Sequence, residues 1–155
     1  MTCRVHTWRA VVLIGALMLR CGASSADAPQ LPSALRCDFD SYASAVAEQP
    51  DRNIKAVVRS EPGIDPLIYA AIDPNSRTAQ LIGNIGAAKV TMIATATTWS
   101  FVEVTDAGNI TVTQVFVWDE PGAASGVYRA IHSRQSSIMG AIAASQHYGH
   151  CKALN

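Results

Sequence analysis

The sequence predicts an all-β fold, a small antiparallel sandwich or barrel of seven to eight strands closed by one disulfide. Three observations carry this expectation. Short runs rich in Val, Ile, Thr and aromatic residues recur along the chain, with Gly, Pro, Asn or Asp between them. No long segment shows the 3.6-residue period of an amphipathic helix. Two cysteines, Cys37 and Cys151, stand near opposite ends of the segment that carries these runs.

The chain opens on a different kind of segment. Residues 1–9 carry Arg4 and Arg9 and no acid, and residues 10–19 carry no polar side chain. A basic start followed by a short apolar run is the pattern of a secretory signal. The run is too short for a bilayer, which needs about 20 apolar residues. Ser24 and Ala26 supply the small residues a signal peptidase requires, so the mature chain is expected to start at Asp27. A lipidated Cys21 is the competing reading, disfavoured by the bulky Arg20 directly before it. The expected organisation is a signal peptide over residues 1–26, a flexible tail over 27–34 with Pro29 and Pro32, one β domain over 35–151, and a short tail over 152–155.

Removing 26 residues from 155 leaves 129, enough for one domain. Arg4, Arg9 and Arg20 are lost with the signal, so nine of 12 basic residues remain against all 12 acids, a formal charge of −3. A weakly acidic chain of this kind lacks the basic footprint for nucleic acid or anionic lipid.

The elements follow in order. Leu35, Cys37 and Phe39 alternate with Arg36, Asp38 and Asp40, which predicts a half-buried strand. Residues 42–48, rich in Ala, predict one or two helical turns. Residues 54–60, 67–72, 78–82 and 90–96 read as strands, with turn residues between them. Residues 98–105 and 109–118 flank Asp106-Ala107-Gly108, a three-residue hairpin loop with Gly108 in the left-handed conformation. Its register sets Phe101 opposite Thr113, Val102 opposite Val112 and Glu103 opposite Thr111. Residues 127–134 read as a strand returning beside the hairpin. Residues 135–144 are ambiguous between loop, strand and helical turn, and residues 145–151 form the last element. Trp99, Phe101, Phe116 and Trp118 are expected mostly in the core.

Cys3 and Cys21 fall in the signal, which leaves Cys37 and Cys151 for one disulfide in an oxidising compartment. The alternative is a metal site of Cys151 with His147 and His150, which is short of ligands because zinc needs three or four. No metal and no cofactor are expected; the chain has no phosphate loop and no dinucleotide fingerprint.

Candidate chemistry is sparse. His132 and Ser133 are adjacent on a strand and point to opposite faces, with Asp119 and Glu120 upstream, and no nucleophile elbow exists. No catalytic residue is therefore assigned. His132 and Arg134 share a strand face with Tyr128 and Ala130. If the C-terminal element lies beside that strand, His132, Arg134, Gln146 and His147 make a polar patch, with Arg134 as a fork-shaped donor to an anion or carbohydrate. The competing reading is an ordinary solvated barrel rim.

Ala130-Ile131-His132-Ser133-Arg134 followed by Ser145-Gln146-His147-Tyr148-Gly149-His150-Cys151 resembles a pattern of uncharacterised small secreted proteins of alphaproteobacteria, which end in Ser-Gln-x-Tyr-Gly-x-Cys. Cys37–Phe39 and the hairpin are similar too. This resemblance implies a compartment and a disulfide, and no role. The overall plan also resembles the periplasmic lysozyme inhibitors in architecture alone, because their inhibitory residues have no match here.

The leading functional expectation is a periplasmic or secreted, non-enzymatic binding module for a protein or small ligand, monomeric, without a membrane span and without nucleic acid. A small hydrolase using a histidine and a structural envelope protein are the alternatives. A hydrolase would need a histidine in a cleft within hydrogen-bond reach of Ser133, Ser145 or an acid. N-terminal sequencing of the exported protein should begin at Asp27; recovery of the intact chain from the cytoplasm would refute the export reading.

Overall fold

The computed structural model describes residues 30–47, 54–83, 86–118, 126–138 and 141–154. The signal-peptide reading, the first residues of the tail, and Asp119 and Glu120 lie outside the described residues. Nine strands form among the described residues: β1 (Leu35–Ala47), β2 (Ile54–Arg59), β3 (Leu67–Asp73), β4 (Thr78–Gly83), β5 (Gly86–Ala94), β6 (Thr98–Val104), β7 (Ile110–Phe116), β8 (Val127–Ile138) and β9 (Ala141–Ala153). All pairings are antiparallel. Strands β3 to β9 follow one another in chain order, and β1 pairs with both β3 and β9. Eight strands therefore close a barrel, and β2 is an extra strand added to β1.

The barrel alternative of the predicted fold class is the one realised, and the reason lies in β1. Its first residues, Leu35–Cys37, pair with Leu67–Tyr69 of β3 on one edge. Its other edge pairs with β9 from Leu35–Ala153 to Ala47–Ile142. A sandwich would leave those edges open, whereas closure satisfies them. Beyond Cys37 the first edge is free of β3, and Tyr42–Ala47 takes up β2 there.

Several expectations need correction. The Ala-rich segment 42–47 is strand and not helical turn. Its helix propensity is overridden because backbone partners wait on both sides, Arg59–Ile54 and His147–Ile142. The ambiguous stretch is strand on both sides of residues 139–140, so β8 and β9 pair from Val127–Lys152 to Ile138–Ala141. The tails are shorter than expected. Lys152 and Ala153 belong to β9, and Leu31 packs against the core. The backbone carbonyl oxygens of Ser33 and Ala34 accept hydrogen bonds from the N–H groups of Ile72 (3.1 Å) and Leu154 (3.0 Å).

The hairpin has the predicted register, with Phe101 opposite Thr113, Val102 opposite Val112 and Glu103 opposite Thr111. Gly108 has φ +77°, and its N–H donates to the Thr105 carbonyl oxygen at 2.8 Å. The buried face of the hairpin is the one bearing Trp99, Phe101, Thr111, Thr113 and Val115. Trp99 and Phe101 are core residues, whereas Trp118 is 47 % exposed and meets Phe116 on the outside.

The lower barrel is apolar, with Leu35, Phe39, Tyr69, Met92, Trp99, Phe101 and Val115 in one cluster. Fully burying a side chain of this size contributes about 1.5–3 kcal/mol. Cys37 and Cys151 are directly opposed and form the expected disulfide, with Cα atoms 3.9 Å apart. That is closer than the usual spacing for a disulfide and reflects direct opposition on neighbouring strands. The bond closes a loop with a sequence separation of 114, worth roughly 4–5 kcal/mol on chain-entropy grounds.

One slip in the β1–β9 register shapes the site. Phe39 pairs with Gly149 and Ser41 pairs with Tyr148, so Asp40 is the extra residue of a bulge. Before the bulge the odd residues of β1 face inward; after it Tyr42 does, opposite the buried His147. The bulge requires close backbone approach. A Cβ on Gly149 would fall on the Asp38 carbonyl oxygen and lie 2.7 Å from the Phe39 Cα. Gly149→Ala should therefore cost about 1–3 kcal/mol in urea unfolding. Gly83→Ala, with nothing within 4 Å of the added carbon, should be near neutral. Equal effects would refute the role given to the bulge.

Candidate functional site

The inner face of the sheet carries two polar rungs at the end of the barrel that β2 extends. The deeper rung runs Phe101, Thr113, His132, His147, Tyr42, Arg59 across β6, β7, β8, β9, β1 and β2. The outer rung runs Glu103, Thr111, Arg134, Ser145, Ser44, Val57 across the same strands. Beneath them the next rung is Trp99, Val115, Ala130, Gly149, Phe39, which is apolar. Polarity thus changes within one pleat, about 7 Å along the strands.

His132 and His147 are direct cross-strand partners, with ring centroids 5.9 Å apart, and Arg134 follows on the same face. Three of the four predicted patch residues are therefore brought together. Gln146 is not. It pairs with Ser133 on the outer surface and accepts a hydrogen bond from the Tyr148 hydroxyl at 2.7 Å. The physical reason is strand parity: Gln146 is one residue from His147 and points the other way. Nor do the histidines form a surface patch, because His132 is 5 % and His147 4 % exposed.

His132 ends a buried chain of hydroxyls. Thr113 Oγ1 lies 2.7 Å from His132 Nδ1, and the Tyr69 hydroxyl lies 2.6 Å from Thr113 Oγ1. Tyr69 is stacked on Phe101 at 4.1 Å. Burial drives the His132 imidazole down to about 4, and the neighbouring His147 and Arg134 push the same way. Burial also lowers His147, with Arg134 adding to it. Burial raises the Tyr69 phenol against the opposing effect of its bond to Thr113. These groups are neutral at pH 7.

His147 sits differently. Its Nε2 is 3.0 Å from Ser145 Oγ, and Tyr42 stacks on its ring at 5.6 Å. Its Nδ1 is buried without a hydrogen-bond partner among the described residues. Gly63, in the loop between β2 and β3, covers it. A Cβ there would lie 2.6 Å from Tyr42 Cδ1 and 2.9 Å from His147 Nδ1, so only glycine lets the loop descend this far.

That loop and the β4–β5 and β6–β7 ends frame a cavity of about 720 Å³. Its polar lining includes Arg134, His132, Asn109, Thr105 and Thr111 and two acids, Glu103 and Asp65, and Thr111 donates to Glu103 Oε2 at 3.1 Å. Its apolar lining includes Ile64, Leu67, Leu81 and Ala88. Tyr69, Thr113, Glu103 and Gly63 were not singled out from sequence. The parity of the hairpin, which sets Thr113 on the face of Trp99 and Phe101, was the available signal for Thr113. Gly63 carried none.

Metal chemistry gains no support from the geometry. His147 faces inward, His150 lies 3.7 Å from Asp40 on the outside, and Cys151 is in the disulfide. Among the described residues no group of three His, Cys, Asp or Glu side chains assembles, and no helix is long and apolar enough to cross a membrane. No protein-family model matches the chain, and no curated protein or solved structure matches it.

The buried neutral histidine makes stability pH-dependent. The unfolded imidazole takes a proton below pH 6.5 and the folded one only near 4, so acid favours the unfolded chain. Urea unfolding should therefore lose roughly 3 kcal/mol as pH falls from 6.5 to 4, and His132→Asn should flatten much of that slope. A wild-type profile flat across this range would refute the assignment.

Proposed function

We propose that the protein is a non-enzymatic binding module of an oxidising compartment that takes a small molecule into the mouth of its barrel. The observation that carries this reading is the cavity of about 720 Å³ with Arg134 and His132 in its wall. Its size is that of small-ligand sites, and an eight-stranded barrel is just wide enough to hold one such ligand. The lining is mixed, with apolar surface for affinity and a few fixed polar groups for orientation. The disulfide is consistent with a compartment outside the cytoplasm, as the N-terminal segment predicts.

The hydrolase reading has one observation in its favour, the Ser145–His147 contact at 3.0 Å. The rest of the arrangement does not favour it. No acid reaches His147 Nδ1 among the described residues, and Ser145 is not part of the cavity wall. A triad needs its base oriented by a third group. A structural envelope role has no observation of its own.

Protein-observed NMR with a small-fragment library tests the binding reading. Binders should shift resonances of Leu81 and His132, and Ala88→Trp, which fills the cavity from its wall, should abolish their binding. The reading falls if no fragment shifts these residues, or if Ala88→Trp binds the same fragments unchanged.

A further inference from the structure

The buried hydroxyl chain decides which nitrogen of His132 carries the proton. Thr113 is 0 % and Tyr69 1 % exposed, so both hydroxyl protons need acceptors within the protein. The phenol is the better donor of the two, and its partner is Thr113 Oγ1. If Tyr69 donates to Thr113, Thr113 donates to His132 Nδ1, and every group in the chain is satisfied. The reverse order leaves the phenol proton looking for another acceptor beside Phe101, which offers none. A neutral imidazole that accepts at Nδ1 carries its proton on Nε2. His132 therefore has an N–H to offer the cavity it lines.

Arg134 stands two residues further along the same inner face, opposite Thr111 and Ser145, and also lines the cavity. No ion pair joins it to an acid among the described residues. One guanidinium and one neutral N–H thus converge from a single strand, supplying several donors and one unit of positive charge. Two acids line the same cavity, Glu103, one strand beyond Thr111 from Arg134, and Asp65 in the loop between β2 and β3; a ligand carboxylate is therefore held only at Arg134 and His132, and a second negative charge on a ligand would be repelled. Opposite these polar groups the wall is Ile64, Leu67, Leu81 and Ala88.

Resting on the reading of the mouth as a ligand site, we propose that its ligand is a small organic monocarboxylate, with the carboxylate held by Arg134 and the His132 Nε2–H and the apolar body lying against Ile64, Leu67, Leu81 and Ala88. Inorganic phosphate and other dianions fit poorly, since they carry more charge than Arg134 balances and have no apolar part.

Two measurements on the full mature chain with its disulfide intact test this. First, the 15N shifts of the His132 ring at pH 7 should show a protonated Nε2 and a bare Nδ1, and Thr113→Val should disturb that pattern. A proton on Nδ1 in the wild type overturns the proposal. Second, hexanoate, hexanamide and inorganic phosphate are titrated while backbone amides are followed by NMR. Hexanoate should saturate at the mouth and bind about tenfold tighter than hexanamide, as expected for a charge-assisted contact. Arg134→Gln, with its fold verified in the same spectra, should reduce that preference to about twofold or less. Phosphate should give no saturable shift. Equal binding of acid and amide, or a preference that survives Arg134→Gln, overturns the carboxylate assignment while Ala88→Trp reports separately whether the mouth is a site at all. If neither hexanoate nor hexanamide binds, the assignment falls; the fragment experiment then decides whether the binding-module reading falls with it.

Discussion

The pairing of the first strand with the last is the contact on which the rest of the structure depends. β1 lies between β3 and β9, and without β1 against β9 the barrel is an open sheet. This is also the pairing most remote in sequence, so its chain-entropy cost is the largest in the fold. The Cys37–Cys151 bond crosses that pairing, which places the covalent link where the entropic cost of ordering the chain is greatest. Gly149 acts at the same seam. By letting Asp38 and Phe39 come close, it admits the bulge that turns Tyr42 inward beside His147.

Closure at this seam also separates two environments along the barrel axis. Toward the disulfide the interior is filled mostly by aromatic and aliphatic side chains. Toward the mouth the same strands present Thr113, His132 and His147, buried but polar. Burial of such groups is costly unless hydrogen bonds replace water. Thr113 supplies such a bond to His132 and Tyr69 one to Thr113, whereas His147 Nδ1, beneath Gly63, has none among the described residues. The mouth therefore combines one imidazole tied at Nδ1, one imidazole whose Nδ1 has no partner among the described residues, and one exposed guanidinium. Apolar packing alone gives no reason to keep these groups together.

The extra strand has a different physical status. All six residues of β2 are exposed, and among the described residues it pairs only with Tyr42–Ala47 of β1. It adds little core, but its connection to β3 carries Pro62, Gly63 and Ile64 over the mouth. β2 thus bears on the site through where its loop lands rather than through its own side chains.

By itself the sequence determined the elements whose signal is local. Alternation marked Leu35, Cys37 and Phe39 as an inward face, and Asp106-Ala107-Gly108 determined the hairpin register because a turn of fixed length constrains both flanking strands. The positions of Cys37 and Cys151 near opposite ends of the strand-bearing segment pointed to the disulfide, and strand parity determined that His132 and Arg134 share a face. Only the tertiary structure decided the rest. It made a strand of residues 42–47, whose Ala-rich sequence suits a helix, because two edges were available to pair with it. It separated Gln146 from His147, and it set Tyr69, 44 residues away from Thr113 in the chain, into hydrogen-bond contact with it. Such contacts arise from closure of the sheet on itself, and pairing between distant strands leaves no trace in the local pattern of either one.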